Sequence, residues 1–241
     1  MWLDDSLMLS PYFEIVFVIQ IFSAYLVGTC YHCFDNLLFV INLHTASQFR
    51  ILQYRFSNMC DVNDRGHCYT TLETSSYTVD KYATFKTYVK QHQMLIEYCN
   101  KLENVFSVIA LVQVTLFSLL ICLDGYLILM EEIARIKRLT FIFHVMGCMC
   151  QLLMFTYSCN CLIEDSEYVM NATYTSSWSV LPMDKYGKML RKDLMFVMMR
   201  SRAPCCLTAC GFFAVSLETY TGILSSAVSY FTLLRNHAGD T

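Results

Sequence analysis

The feature that most constrains this chain is a series of apolar stretches, each long enough to cross a bilayer as a helix. The first, Ile15 to Phe34, contains no charged residue, and the others lie near 105–127, 139–162 and 214–235. Only 15% of all residues are charged, whereas a soluble domain carries roughly a quarter. We therefore predict an all-α integral membrane protein, one membrane domain over residues 1–241, with four transmembrane helices near 15–36, 105–127, 139–162 and 214–235.

Helical spacing of apolar residues continues beyond the predicted spans. Phe49, Leu52 and Phe56 recur at intervals of three and four, with charged residues between them, which is typical of an amphipathic helix. Similar patterns extend over 82–104 and 166–203. We predict that segments 37–56, 82–104 and 166–203 are cytoplasmic helical extensions that form an anchor bundle and need partners outside the bilayer. The polar stretch 57–78, which holds His67 and Cys68, is rich in turn formers and predicts a mobile, solvated loop.

The distribution of Lys and Arg predicts the orientation of the chain. Residues 45–104 and 164–204 together hold thirteen of the 17 basic residues, so both regions are expected in the cytoplasm and both termini outside. The short turn with Arg135, Lys137 and Arg138 is an exception to this rule. Asn171 begins a formal glycosylation sequence, and this topology predicts that it is unmodified.

The last apolar segment has a stripe of small and polar residues along one side of the predicted helix. Two readings of the stripe remain open. Small residues let neighbouring helices pack closely in lipid, whereas hydroxyl and amide groups can also form the water-facing wall of a pore. The stripe consists of Gly222, Ser225, Ser226, Ser229, Thr232 and Asn236, with Leu233 beside it.

Several classes of site are not supported by the sequence. Most of the thirteen cysteines lie in apolar runs, where cysteine usually acts as a small hydrophobe. Cys30 and Cys33 have no second pair at ligand spacing, so we predict no metal site and no cofactor. No nucleotide loop or paired nucleophile and base is recognisable, so an enzyme is not expected. The net charge of -3 argues against a nucleic-acid partner.

Three groups of residues carry a resemblance to a known family. His92 precedes Glu103 and Phe106 at the entry to the second span, and the third span and the loop beyond it form a second group. The closest match is in the last segment, from Met199-Arg200-Ser201 through Thr208 to Ser229-Tyr230-Phe231. The sequence resembles the C-terminal half of an insect odorant receptor. The match runs from about residue 10 to the end and covers the last four of the family's seven spans. Residues of the second group are Gln151, Tyr157, Asn160, Leu162, Ser166, Val169, Tyr174 and Trp178.

The resemblance implies a subunit of a ligand-gated, non-selective cation channel with one central pore. Four subunits, including a shared co-receptor, would surround it as a hetero-tetramer, in the plasma membrane of an olfactory neuron. Leu233 would then form a hydrophobic gate and Asn236 a polar outer ring, while Glu218 would brace a kink at the cytoplasmic boundary. The implied pore-lining residues are Ser225, Ser226, Ser229, Thr232, Leu233 and Asn236.

The family's ligand pocket lies between helices in the outer half of the membrane and accepts a small, volatile, apolar molecule. His144 and Gln151 are seven residues apart and share a face, so they either pair with a neighbouring helix or line this pocket. An alternative to the channel is a truncated, non-conducting partner in receptor assembly or trafficking. The implied odorant-binding residues are Phe17, Gln20, Ile21, Ala24, Tyr25, Phe143, His144, Cys148 and Gln151.

Overall fold

Apolar stretches that run into amphipathic ones produce long, continuous helices in this protein. The computed structural model describes residues 12–59, 71–129, 135–176, 178–181 and 183–239. Over these residues the α-helices are α1 (Tyr12–Asn58), α2 (Thr71–Leu129), α3 (Arg135–Thr175), α4 (Lys185–Ser201) and α5 (Leu217–Gly239). A 3-10 turn, Trp178–Val180, separates α3 from α4. The predicted all-α fold is confirmed.

Three of the described helices, α1, α2 and α3, are long and apolar enough to cross a membrane. The 59 residues of α2 extend for about 90 Å, at about 1.5 Å per residue. A hydrocarbon core is about 30 Å thick, so much of α2 must lie outside it. The fourth predicted span, 214–235, overlaps α5. This helix has 23 residues, and its apolar residues are mixed with the small and hydroxyl residues of the stripe.

The chain divides after Ile41 into two compact units. The described part of the first unit is the N-terminal portion of α1, in which the rings of Phe13 and Phe17 stack with centroids 6.2 Å apart. The second unit begins at Asn42 and contains the remaining helices. The second unit includes α5, the predicted anchor segments 82–104 and 166–203, and most of the segment 37–56.

A hydrophobic core joins the ends of α1, α2, α3 and the whole of α4. Phe49, Phe56 and Phe85 are at most 2% exposed, and the rings of Phe56 and Phe85 meet edge to face at 6.3 Å. Full burial of a side chain of this size contributes about 1.5–3 kcal/mol. The amphipathic segments therefore pack on one another through the apolar residues that define their pattern. The core also contains Leu52, Met59, Cys99, Leu162, Val169, Leu181, Leu190, Leu194, Val197 and Cys205.

Polar contacts fix the register of this helical bundle. Both carboxylate oxygens of Asp165 accept a hydrogen bond from Arg50 Nε at 2.9 Å, and the backbone carbonyl of Asp165 accepts one from Gln53 Nε2 at 2.7 Å. Asn42 Nδ2 donates to Ser158 Oγ at 3.2 Å. These contacts hold α1 against α3 at two levels that lie about two helical turns apart.

The start of α2 differs from the sequence prediction. The stretch 57–78 was predicted as a loop, yet α2 begins at Thr71. Asp184 caps α4 by accepting a hydrogen bond from the Gly187 backbone N–H at 2.8 Å, and its other oxygen accepts one from the Thr78 hydroxyl. The contact between Thr78 and Asp184 stabilises the first part of α2. Helix propensity depends on local sequence and does not predict a contact between residues so far apart. His67 and Cys68 lie outside the described residues.

Candidate functional site: the last helix and the helices that hold it

The polar stripe of α5 lies on an exposed face of the helix. α5 begins at Leu217, and Glu218 in its first turn is placed where a carboxylate interacts favourably with the helix dipole. Gly222, Ser225, Ser226, Ser229 and Thr232 are all exposed. Leu233 and Asn236 belong to the helix, but their side chains lie outside the described part of the structure. The stripe is part of a wider exposed surface, because Val228 and Tyr230 are also exposed, at 62% and 52%.

The hydroxyl groups of the stripe are ordered by their own helix. Ser226 Oγ donates to the Gly222 carbonyl at 2.9 Å, and Ser229 Oγ donates to the Ser225 carbonyl at 2.9 Å. Thr232 Oγ1 donates to the Val228 carbonyl at 2.8 Å. A hydroxyl oxygen whose proton is used in this way keeps two lone pairs as acceptors. The exposed face therefore presents a column of oxygen acceptors.

The opposite side of α5 packs against α2 and α3. Ala227 is 2% exposed, and the ring of Phe231 lies directly over Gly125 of α2. A Cβ atom at Gly125 would be 2.0 Å from Phe231 Cζ and 2.2 Å from Cε1, so the glycine allows the ring to approach the α2 backbone closely. Packing of α5 within the chain thus uses Ala227 and Phe231 and leaves the polar stripe outside.

A short non-helical segment connects α4 to α5. Thr208 and Ala214 form an isolated antiparallel bridge, and the chain turns between them at Cys210 and Gly211, which have φ of 53° and 76°. Positive φ is rare for residues other than glycine, so the turn at Cys210 is held by its neighbours. The Cys210 backbone N–H donates to the Ser107 carbonyl at 3.2 Å.

Glu103 of α2 is the main tether of this segment. Its carboxylate accepts the Thr208 backbone N–H at 2.7 Å and also the Thr208 hydroxyl. A hydrogen bond to a charged group contributes about 1.5–3 kcal/mol. The segment before α5 is therefore coupled to α2 just before the second predicted span, 105–127.

The predicted odorant-binding residues fall in two separate parts of the chain. Phe17, Ile21 and Tyr25 on α1 are exposed, at 52%, 55% and 68%, and Gln20 and Ala24 are also exposed. These five residues belong to the first unit. Their role as ligand contacts stays a prediction.

On α3 the predicted residues differ in environment. Phe143 is 69% exposed and Cys148 is 7% exposed, while Gln151 is half-buried. His144 Nδ1 lies 2.5 Å from Asp124 Oδ2 of α2. His144 therefore does have a partner on a neighbouring helix, and any role in ligand binding stays a prediction.

Sequence reasoning did not identify Asp124 as a functional residue. The signal was present, since Asp124 is an acidic residue within a strongly apolar stretch, and such residues are costly unless they are paired. Its carboxylate, the His144 ring and the Cys148 thiol all lie within 4.8 Å of one another. The sequence also did not predict the contact between Glu103 and Thr208, although both residues belong to the pattern that resembles the family.

A groove of about 900 Å³ runs between α2 and α4 in the bundle. Lys86, Lys90 and Arg200 contribute to its lining, together with Phe196, which is 58% exposed. His92 also lines it and is 4% exposed. Burial and the nearby Arg200 guanidinium lower the pKa of His92 to about 4, so the ring is neutral at physiological pH.

The comparisons with known proteins agree on one family. A family model described as 7tm Odorant receptor matches residues 1–228. Odorant receptor 13a of Drosophila melanogaster is 24% identical over 93% of this chain and 53% of its own length. Odorant receptor Or2 of Anopheles gambiae is 22% identical over 94% of this chain and 57% of its own length.

A solved structure has the same fold. The insect olfactory receptor OR5 from Machilis hrabei, in complex with eugenol, superposes with a TM-score of 0.79 at 14% identity. The superposition covers 98% of this chain and 56% of that receptor, so the chain spans about half the length of the relatives that it matches. Because the family match covers most of the sequence and the fold agrees, this chain is a multi-pass membrane protein that belongs to the odorant receptor family.

Proposed function

We propose that the chain is an odorant receptor subunit of a ligand-gated, non-selective cation channel, and that α5 lines the pore. The observation that carries the proposal is the column of hydroxyl oxygens on the exposed face of α5. Ser226, Ser229 and Thr232 each use their proton within the helix, so their lone pairs are free for water or a cation. Oxygen acceptors that face a pore can replace part of the hydration shell of a cation.

The connections of α5 support a role in gating. Glu103 holds Thr208 before the helix begins, and Phe231 packs on Gly125 within it. A rearrangement of α2 against α3 would therefore be transmitted to α5 at two points. Leu233 and Asn236, further along the same helix, are proposed as the gate and the outer polar ring.

We further propose that the bundle binds other subunits, including a shared co-receptor, in a hetero-tetramer. Several large apolar side chains outside the predicted spans are exposed, among them Tyr54 at 72%, Met94 at 60% and Phe196 at 58%. Apolar patches of this kind mark protein contacts in a segment that lies in water. The basic residues of the same segments support a cytoplasmic location, with both termini of the chain outside. The membrane that we propose for the channel is the plasma membrane.

The proposed ligand is a small, volatile, apolar molecule. The related OR5 was solved in complex with eugenol, and Phe17, Ile21 and Phe143 offer the apolar contacts that such a molecule requires. From the family resemblance we propose the predicted residues of α1 and those of α3 as ligand contacts, among them the polar side chains of His144, Cys148 and Gln151.

Expression of the longest reading frame that encodes this chain, together with a co-receptor subunit, tests the proposal. Application of odorants should evoke a cation current, and Asn236→Ala should change the relative permeability of cations more than the odorant sensitivity. Leu233→Ala should increase the current without odorant. Absence of odorant-evoked current from a complex that reaches the cell surface would refute the channel role and leave the non-conducting assembly partner.

A further inference from the structure

Three side chains of different chemistry converge where α2 and α3 face each other. Asp124 comes from α2, while His144 and Cys148 lie one turn apart on α3. His144 Nδ1 is 2.5 Å from Asp124 Oδ2 and 4.0 Å from Cys148 Sγ. All three ligand atoms lie within 4.8 Å of one another. Asp124 and Cys148 are each 7% exposed, whereas the His144 side chain is 53% exposed.

We propose that Asp124, His144 and Cys148 form a binding site for Zn²⁺ or a similar borderline-soft transition metal ion. An imidazole, a thiolate and a carboxylate are the ligands that Zn²⁺ takes in proteins. Ca²⁺ and Mg²⁺ instead prefer sites made of oxygen atoms alone. The His144 side chain is 53% exposed, which leaves space for a fourth ligand. On binding, the Cys148 thiol gives up its proton to solvent and its sulfur coordinates the ion.

The spacing of the ligand atoms suits this ion. Tetrahedral Zn²⁺ with bonds of about 2.0–2.3 Å places neighbouring ligand atoms about 3.5 Å apart. The observed separations of 2.5 and 4.0 Å lie on either side of that value. Small rotations of the three side chains, with no change in the helices, would reach the required geometry.

The position of the site gives it a consequence for α5. Gly125, the residue after Asp124, is the point at which the Phe231 ring packs on α2. An ion held by both α2 and α3 would fix these helices against each other at that level. Bound Zn²⁺ therefore restricts movement of α5 and reduces odorant-evoked current. This effect rests on the proposed channel function, whereas ion binding itself does not.

Metal binding to the purified chain in detergent tests the site directly, with Co²⁺ as a spectroscopic probe. Co²⁺ should produce a thiolate-to-metal charge-transfer band that added Zn²⁺ removes. Cys148→Ser should abolish the band and weaken Zn²⁺ binding at least tenfold while leaving the Asp124–His144 pair in place. Cys150→Ser is the matched control, because Cys150 is on the same helix, is exposed and is outside the cluster.

A thermal melt gives a second readout of the same site. Zn²⁺ should raise the melting temperature of the parental chain and of Cys150→Ser, because a ligand that binds the native state stabilises it. The increase should be lost in Cys148→Ser and in His144→Gln. An unchanged Co²⁺ band and unchanged Zn²⁺ affinity in both variants would overturn the site. Binding without any effect of external Zn²⁺ on current would keep the site and overturn its link to α5.

Discussion

The contact between Gly125 and Phe231 gives a sharp test of how α5 is held. A Cβ atom at position 125 would lie 2.0 Å from Phe231 Cζ, whereas carbon atoms in contact are normally about 3.5–4.0 Å apart. In Gly125→Ala the Phe231 ring must therefore retreat by about 1.5 Å. That movement requires a new side-chain rotamer or a shift of α5 away from α2.

The expected cost follows from two opposing effects. Overpacking of this kind destabilises by about 1–3 kcal/mol, while replacing glycine by alanine in a helix stabilises by about 0.5–1 kcal/mol. Gly147 on α3 is the matched control, because a Cβ atom there meets nothing within 4 Å. Gly147→Ala should therefore gain the stabilisation that alanine gives in a helix without the steric clash. Gly125→Ala should therefore be less stable than Gly147→Ala by about 1–3 kcal/mol.

Thermal unfolding of the purified variants in the same detergent measures this difference. For a chain of this size, it should place the melting temperature of Gly125→Ala roughly 2–10 °C below that of Gly147→Ala. The double variant Gly125→Ala, Phe231→Leu should recover much of the loss, because the smaller side chain makes room for the new methyl group. Equal melting temperatures for Gly125→Ala and Gly147→Ala would refute the packing described for α5.

Three further predictions concern the helical bundle and its orientation. The pKa of His92 is lowered to about 4 in the folded protein, whereas an unfolded His titrates near 6.5. Between these two pH values the unfolded state binds one proton that the folded state does not. The free energy of unfolding should therefore fall by up to about 3 kcal/mol as the pH drops from 6.5 to 4. Thermal melts across this range should show the loss, and His92→Gln should flatten the profile while His44→Gln should not. Asp165→Asn should lower the free energy of unfolding by about 1 kcal/mol, since the Arg50 side chain is 65% exposed and solvent screens the pair. Glu167→Gln is the control at an exposed position, and its melting temperature should equal that of the unmodified chain. In single-cysteine variants, a membrane-impermeant maleimide should label Cys210 only after permeabilisation, because that residue is exposed and proposed to be cytoplasmic. Cys99 should stay poorly labelled, because its side chain is only 5% exposed. Labelling of Cys210 in intact cells would reverse the proposed topology.

The helices could be predicted from the sequence because their signals are local. Phe49, Leu52 and Phe56 recur at helical spacing, and these same residues are buried in the bundle. The start of α2 was missed because it depends on Thr78 bonding to Asp184, 106 residues away. A periodic pattern contains no information on such a partner.

The arrangement of the candidate site was only partly predictable. An apolar stretch with His144 in it predicts that the ring finds a partner, but the sequence does not give the register that brings Asp124 opposite. Residues 205–217 are mostly apolar, and this composition does not predict the turn that they contain. Gly211 is a residue of this stretch that favours a turn. The tether that shapes this turn joins Glu103 and Thr208, 105 residues apart.

The most direct test of the central claim is the accessibility of cysteines introduced into α5 during current recording. Ser229 is on the polar stripe. Its neighbour Val228 is also exposed, but its side chain points about 100° away around the helix. In channels formed with a co-receptor subunit, a cationic thiol reagent should block odorant-evoked current through Ser229→Cys and leave Val228→Cys and the parental chain unaffected. Block of Val228→Cys alone, or no block of either variant after confirmed modification, would contradict a pore lined by this stripe.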